Sequence, residues 1–525
     1  MNYTKFTLAL LSLTVFTFTA FSQNQFINTY EYSTNLTVTY SGPAAGGGII
    51  TCGYTDATTP DGFITKTGLD GNVQWSKKIG GSQEDYLQVV KATSDGGYIA
   101  VGYTNSSGAG GKDVLLIKLN ANGGISWSKT YGTSTDDYGN DVIQTSDGGY
   151  AVCGKARTQS STVGYGGFYV FKTNASGTLS WSNMWGEDES ITAYDIIEKP
   201  DGSIIATGSN WGGSPAIVEM DASGNMNWAK AYDTGYNYIR KSIQTLLLSD
   251  GSLMNYYSAR DNNKELFYLV KINASGDYQW SKEYYANSNS YDDFYGGIIR
   301  TYDGFVVSGK TMLLQTGVYA PTYIKLDNAG IVLSSKAYVD YTTYAYSDKG
   351  FELERLSDGS LLTGFSHYSK IVLLKSNWTG EMWCSNTDIT IDTDTPSGSS
   401  TTIGSSSWVN SGTTTVNNSS LNSTDMNLTK SVHCNSGTGI NDNEQREDVK
   451  VFPNPTGGQF KVELGKEYNN VSFTLYNTLS EAVYSKKTDI ATSITVHPKN
   501  IAAGVYYYKI TSDNKEIAAG KVVLE

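Results

Sequence analysis

The sequence predicts an all-β fold: a seven-bladed β-propeller, then a Ser/Thr-rich connector, then a small C-terminal β-sandwich. Three observations carry that expectation. A unit of roughly 52 residues recurs seven times between positions 46 and 358. Each unit splits into four short β-type runs separated by turn residues. The 525 residues include 56 Gly, 39 Tyr and 10 Trp, and only 17% are charged. Gly serves turns and aromatic rings pack on pleated faces, so this is the composition of turn-rich β structure.

The chain begins with one lysine, Lys5, followed by an apolar run from Phe6 to Ala20. Small residues at Ala20 and Ser22 place a signal-peptide cleavage before Gln23, so residues 1–22 are expected to be removed. The run is shorter than the roughly 20 residues a membrane span needs. No later segment is apolar enough to span, so no transmembrane segment is expected.

The repeat occupies residues 23–385. Trp75-Ser-Lys-Lys-Ile-Gly-Gly is echoed by Trp127-Ser-Lys-Thr-Tyr-Gly, and Thr93-Ser-Asp-Gly-Gly-Tyr by Thr145-Ser-Asp-Gly-Gly-Tyr. The Asp-Gly signal returns at Asp201, Asp250, Asp303 and Asp358. In the second copy the four runs are 86–92, 98–104, 113–119 and 125–131. Ser-Asp-Gly-Gly joins the first two, and Asn120-Ala-Asn-Gly the last two. Both are turn sequences that tolerate positive φ. A four-stranded unit cannot bury both faces alone, but seven packed around an axis can. The Trp series (Trp75, Trp127, Trp181, Trp228, Trp280, then Ser334, then Trp383) is read as packing between blades rather than as a ligand platform. These runs look like the propeller-type repeats of bacterial and archaeal surface proteins, over roughly residues 34–385. That resemblance implies a fold and almost nothing about activity. For ring closure, Phe26 to Tyr30 is a candidate outer strand of the last blade, although Trp383 already fills that slot.

Residues 386–445 form the connector. Of the 49 residues from 385 to 433, 29 are Ser, Thr or Asn, which reads as a flexible linker or a β stalk. Residues 446–525 open with Val449-Lys-Val-Phe-Pro-Asn-Pro-Thr-Gly-Gly-Gln-Phe-Lys-Val. With Pro453, Asn454 and Pro455, Phe473 to Tyr476, Gly504-Val-Tyr506 and the terminal Lys521-Val-Val-Leu-Glu525, this closely resembles the type A sorting domain of the type IX secretion system. The resemblance implies a small β-sandwich recognised by an outer-membrane translocon and removed by a sorting protease. It also implies export to the cell surface or the medium.

Export permits disulfides. Cys384 and Cys434 bracket one segment and could pair, while Cys52 and Cys153 read as small buried apolar residues. The net charge of −13 argues against a nucleic-acid partner. The three histidines, His367, His433 and His497, fall in different regions, and the six arginines are scattered. No cofactor is predicted and no metal is assigned. One constellation stands out: acidic pairs on the crossings between blades. They are Glu84-Asp85-Tyr86, Asp136-Asp137-Tyr138, Glu187-Asp188-Glu189 and Asp292-Asp293-Phe294. Carboxylates there can coordinate Ca²⁺, and the aromatics can stack on sugars or cations. The same pairs are also ordinary loop chemistry, with Asp accepting backbone N–H groups. The Gly-rich loop Thr104 to Lys112 falls on the same expected face. The expected function is an extracellular binding or adhesion module for a glycan, peptide or cation. The alternative is a glycoside or peptide hydrolase built on two of these carboxylates.

Overall fold

The computed structural model is all-β. It describes residues 25–524 apart from 158–165, 186–190, 210–213, 234–238, 262–263, 287–295, 302–303, 314–317, 339–352, 368–369, 378–385, 389–390, 395–398, 403–414, 420, 436–449, 453–458, 477–481, 499–500, 503 and 513–514. The signal-peptide expectation therefore lies outside the described residues. Two compact units divide the chain, Met1–Thr438 and Gly439–Glu525. Among the described residues no helix is long and apolar enough to cross a membrane.

Among the described residues the first unit holds seven antiparallel sheets of four or five strands. In the second sheet Asp85–Ala92, Tyr98–Thr104, Asp113–Leu119 and Ile125–Gly132 lie side by side in chain order. These bounds fall within one residue of the runs read from the sequence. The first strands of the sheets are Leu36–Pro43, Asp85–Ala92, Tyr138–Gln144, Thr192–Glu198, Ile239–Leu247, Ile298–Arg300 and Leu353–Arg355. They touch one another in that order, and the last returns to the first, so the sheets close into a ring.

The repeat residues explain both the turns and the packing. In the second sheet the Thr93 N–H donates to the Gly97 carbonyl at 2.9 Å. The Gly97 N–H donates to Asp95 Oδ1 at 3.0 Å. Gly96 sits at φ +82°, which only glycine adopts cheaply. Lys118 on the third strand reaches the same Asp95 at 2.9 Å, and Lys172 reaches Asp147 at 2.7 Å. Sheets are joined to their neighbours by the aromatic residues of the outer strand. Trp75 Nε1 donates to the Ala121 carbonyl of the next sheet at 3.2 Å, and Trp181 to Ala222 at 3.0 Å. A Cβ at Gly123 would lie 2.8 Å from the Trp75 ring, so this turn needs glycine to meet the indole. The hydroxyls of Tyr131, Tyr232 and Tyr284 donate to the carbonyls of Gly177, Gly276 and Gly330 at 2.6–2.8 Å. The Trp series is thus part of the contact between sheets. Near the axis, Lys91 donates to Asp141 at 2.6 Å, and the Thr245 N–H donates to Asp195 at 2.7 Å, linking successive first strands.

Ring closure uses the N-terminal strand. Phe26–Glu31 pairs with Lys370–Ser376 of the seventh sheet. It therefore fills the outer slot that the sequence also offered to Trp383, which lies outside the described residues. The Tyr30 hydroxyl donates to the Gly71 carbonyl at 2.6 Å, repeating across the closure the bond seen between other sheets.

The Ser/Thr/Asn-rich stretch adds a fifth strand to six of the sheets. Asn386–Asp388, Ile391–Asp394 and Ser399–Thr402 pair with the outer strands of the sixth, fifth and fourth sheets. Thr415–Asn418 and Asn422–Asp425 pair with those of the second and first. Thr429–Asn435 pairs with Phe26–Glu31. The segment is a belt that runs back around the ring against the direction of the repeat. Polar side chains suit it, because an edge strand is held by its backbone and faces water. All four residues of Asn422–Asp425 are exposed. Side chains add an ion pair between Lys77 and Asp425 and a bond from Ser128 to the Ser419 carbonyl at 2.8 Å. Cys434 lies opposite Ile27 in this pairing, whereas Cys384 is outside the described residues. Cys52 and Cys153 are buried.

Among the described residues the second unit has five strands: Lys450–Phe452, Phe460–Tyr476, Ala482–Val496, Gly504–Ser512 and Lys515–Leu524. The pairing of the two longest breaks between Glu463 and Tyr468. Phe460 and Val462, before the break, share one core with Phe473 and Leu475, after it. The Phe460 and Phe473 rings are 6.0 Å apart. Tyr506 is buried and donates to the Ala502 carbonyl at 2.7 Å. Gly504 and Lys521 lie on the paired strands Gly504–Ser512 and Lys515–Leu524. Pro453, Asn454 and Pro455 lie outside the described residues.

Candidate functional site

Successive residues of a strand point to opposite faces, and that alternation decides where each acidic pair and its aromatic go. Tyr86 and Gln88 share one face of their strand, and Tyr138 and Asn140 share one face of theirs. With Tyr54, Tyr103, Lys155, Thr192 and Tyr194 they line a cavity of about 360 Å³. The cavity spans the first four sheets, where first strands begin and second strands end. Every lining residue is half-buried. The Tyr54 and Tyr86 rings are 4.5 Å apart, Tyr86 and Tyr103 stack at 4.6 Å, and Tyr103 meets Tyr138 edge-on at 5.0 Å. Burial pushes the phenols of Tyr86, Tyr103 and Tyr138 up, so their hydroxyls stay protonated donors at neutral pH. Lys112, at the end of the Gly-rich loop, sets its ammonium 4.7 Å from the centre of the Tyr103 ring and 3.7 Å from Glu84.

The carboxylates beside these tyrosines turn the other way. Asp85 is buried, accepting from the Gly81 N–H at 2.7 Å and from the hydroxyls of Thr104 and Ser106. Asp137 is fully buried, accepting from the backbone of Thr133 and, at 3.2 Å, from the Arg157 N–H. Burial raises Asp137 to about 7, with the neighbouring Asp113 adding to the rise. Asp113 is itself buried and raised, and its Oδ1 has no hydrogen-bond partner. A Cβ on Gly132 would lie 2.0 Å from Asp113 Oδ1 and 2.8 Å from Asp137 Oδ2, so the two carboxyls converge on this glycine. Only Asp136 of these is exposed, and its Oδ1 accepts from the Lys112 N–H at 2.9 Å. Asp85 and Asp137 therefore brace the crossing loops from within and do not present a solvated acidic ring. Asp292, Asp293, Phe294 and residues 187–189 lie outside the described residues. Among the described residues no group of three or more His, Cys, Asp or Glu could hold a metal ion.

The structure thus brings together the aromatic half of two acidic motifs. It adds Tyr54, Tyr103, Lys155 and Tyr194, which reading the crossings alone did not find. A signal for three of them was present. Tyr54, Tyr103 and Lys155 each follow the repeating glycine of the second strand, at Gly53, Gly102 and Gly154.

Residues 450–525 match the family described as secretion system C-terminal sorting domain. The chain is accordingly exported by the type IX system to the cell surface or the medium, and its last unit interacts with that machinery. No curated protein matches the chain. Solved structures that resemble it include Sqt1 from Chaetomium thermophilum, at 9% identity over 66% of this chain and 98% of that one, with a TM-score of 0.36. A glucose dehydrogenase is 10% identical over 66% and 99%, at 0.33. Drosophila Semaphorin 2a is 7% identical over 94% and 97%, at 0.37. Likenesses this distant carry no argument about activity.

Proposed function

We propose that this exported propeller protein is an extracellular binding module whose ligand is a glycan held in the tyrosine-lined cavity. The observation that carries the reading is the lining itself. Five tyrosines, two amides, a threonine and a lysine converge on one concavity. Flat aromatic faces cover the apolar faces of a pyranose, while phenol, amide and ammonium groups meet its hydroxyls. The volume, about 360 Å³, is at the small end for ligand sites and suits one or two sugar rings. The rings are already packed on one another, so little ordering cost remains for binding.

The hydrolase alternative needs convergent carboxylates at the cavity, and the described lining contains none. Isothermal titration of the secreted protein against an oligosaccharide panel tests the reading. Binding should be lost in Tyr86→Ala and Tyr103→Ala and kept in Asp136→Asn. Release of reducing ends during the same incubations would favour the hydrolase. Binding that survives both tyrosine substitutions would place the ligand elsewhere.

A further inference from the structure

Among the described lining residues of the cavity, Lys155 is the one that carries a charge. In the first and second sheets the slot after the repeating glycine holds a tyrosine, Tyr54 and Tyr103, and in the third it holds Lys155. Lys155 is half-buried, and its stem packs so closely on the chain that a Cβ at Gly166 would lie 2.4 Å from its Cε. Among the described residues no carboxylate is paired with it. The charge that acts on it is another cation, Arg157, whose Nε is buried without a partner. Burial, and then Arg157, hold the Lys155 ammonium below the ordinary lysine range. The neighbouring acids are otherwise engaged: Glu84 with Lys112, Asp136 with the Lys112 N–H, and Asp137 with the backbone of Thr133 and Arg157. A half-buried cation that faces a ligand cavity, with no counter-ion among the described residues, is a site for an anion.

We infer that the ligand is an anionic sugar, a pyranose bearing a carboxylate or a sulfate, and that Lys155 is the residue that pairs with this charge. The inference rests on the reading of the cavity as a glycan site and adds its chemical class. Tyr86, Tyr103 and Tyr138 hold the ring by stacking, whatever its charge. Lys155 selects among rings, because an uncharged sugar leaves the ammonium buried and unpaired.

The test is titration of the secreted protein with three oligosaccharides of equal length: a uronate, a sulfated galactan and a neutral glucan. Wild type should bind one or both anionic probes roughly tenfold to a hundredfold more tightly than the neutral one, the value of a charge-assisted bond in a half-buried site. Which anion wins identifies carboxylate or sulfate. Lys155→Met should erase the preference, weakening the anionic probes far more than the neutral one, and Lys155→Arg should restore most of it. Equal affinity for all three probes, with Lys155→Met silent, overturns the inference and leaves the glycan reading standing. Failure of all three to bind overturns both.

Discussion

Asp137 couples the stability of the fold to pH. In the folded chain its carboxyl is raised to about 7 by burial, against 3.8 for the free group. A carboxyl raised on folding binds its proton more tightly in the folded state. Its stabilising contribution is complete below pH 3.8 and is lost as pH rises through 7. The gap between the two values corresponds to about 4 kcal/mol between pH 4 and pH 8. Asp137→Asn removes that dependence. The amide keeps one acceptor for the two backbone N–H groups of Thr133 and Arg157. It therefore costs about 1–3 kcal/mol for the donor left unmatched, at every pH. An amide at this position does not titrate, so the variant is the less stable protein at pH 4 and the more stable one at pH 8. Urea midpoints of both proteins at pH 4.5, 6, 7 and 8.5 measure the crossing. Asp195, raised by burial and then by Asp141, acts in both proteins and cancels in the difference. Parallel pH curves for wild type and Asp137→Asn would refute the account of a desolvated loop brace.

Three further outcomes follow from the same structure. Tyr131→Phe removes the 2.6 Å bond to the Gly177 carbonyl between the second and third sheets and should cost about 1–3 kcal/mol by denaturant midpoint, without altering ligand affinity. A chain of residues 23–385, set beside one of residues 23–438, lacks the belt and exposes the outer edges of six sheets. It should melt lower and self-associate in light scattering, and unchanged melting and a monodisperse monomer would refute the belt's role. At the acid limit, Asp147 is held to about 2 by Lys172, and Asp95 to about 2 by Thr93 and Lys118. Both are largely exposed, so their shared contribution is small. It is present above pH 3.8 and lost as pH falls through 2, and Lys118→Met with Lys172→Met should flatten that acid limb.

Much of the fold was legible because the repeat carries its own chemistry. The Asp-Gly turn demands positive φ at Gly96, the Trp75 ring demands glycine at position 123, and both appear in copy after copy. The belt was not legible. Strands such as Asn422–Asp425 bury no side chains, so no apolar alternation marks them, and pairing by backbone alone leaves little trace in sequence. Ring closure was ambiguous for a similar reason, since Phe26–Glu31 and the region of Trp383 both read as outer strands. The candidate site was half legible. Tyr86 and Tyr138 stand out in the sequence because each follows an acidic residue, but alternation along the strand sends Asp85 and Asp137 away from the cavity that the tyrosines line. Lys155 carries no mark of its own in the sequence because it occupies a slot filled elsewhere by tyrosine, and the ring is what brings that slot to one face with the others.

The central claim is that the tyrosine-lined cavity is where this exported protein meets its ligand. A crystal structure of the secreted protein with a bound oligosaccharide from the titration panel tests it most directly. The account predicts a sugar ring in van der Waals contact with Tyr86, Tyr103 or Tyr138, with its charged substituent against Lys155. A sugar bound elsewhere on the ring of sheets, with these tyrosines untouched, would contradict it.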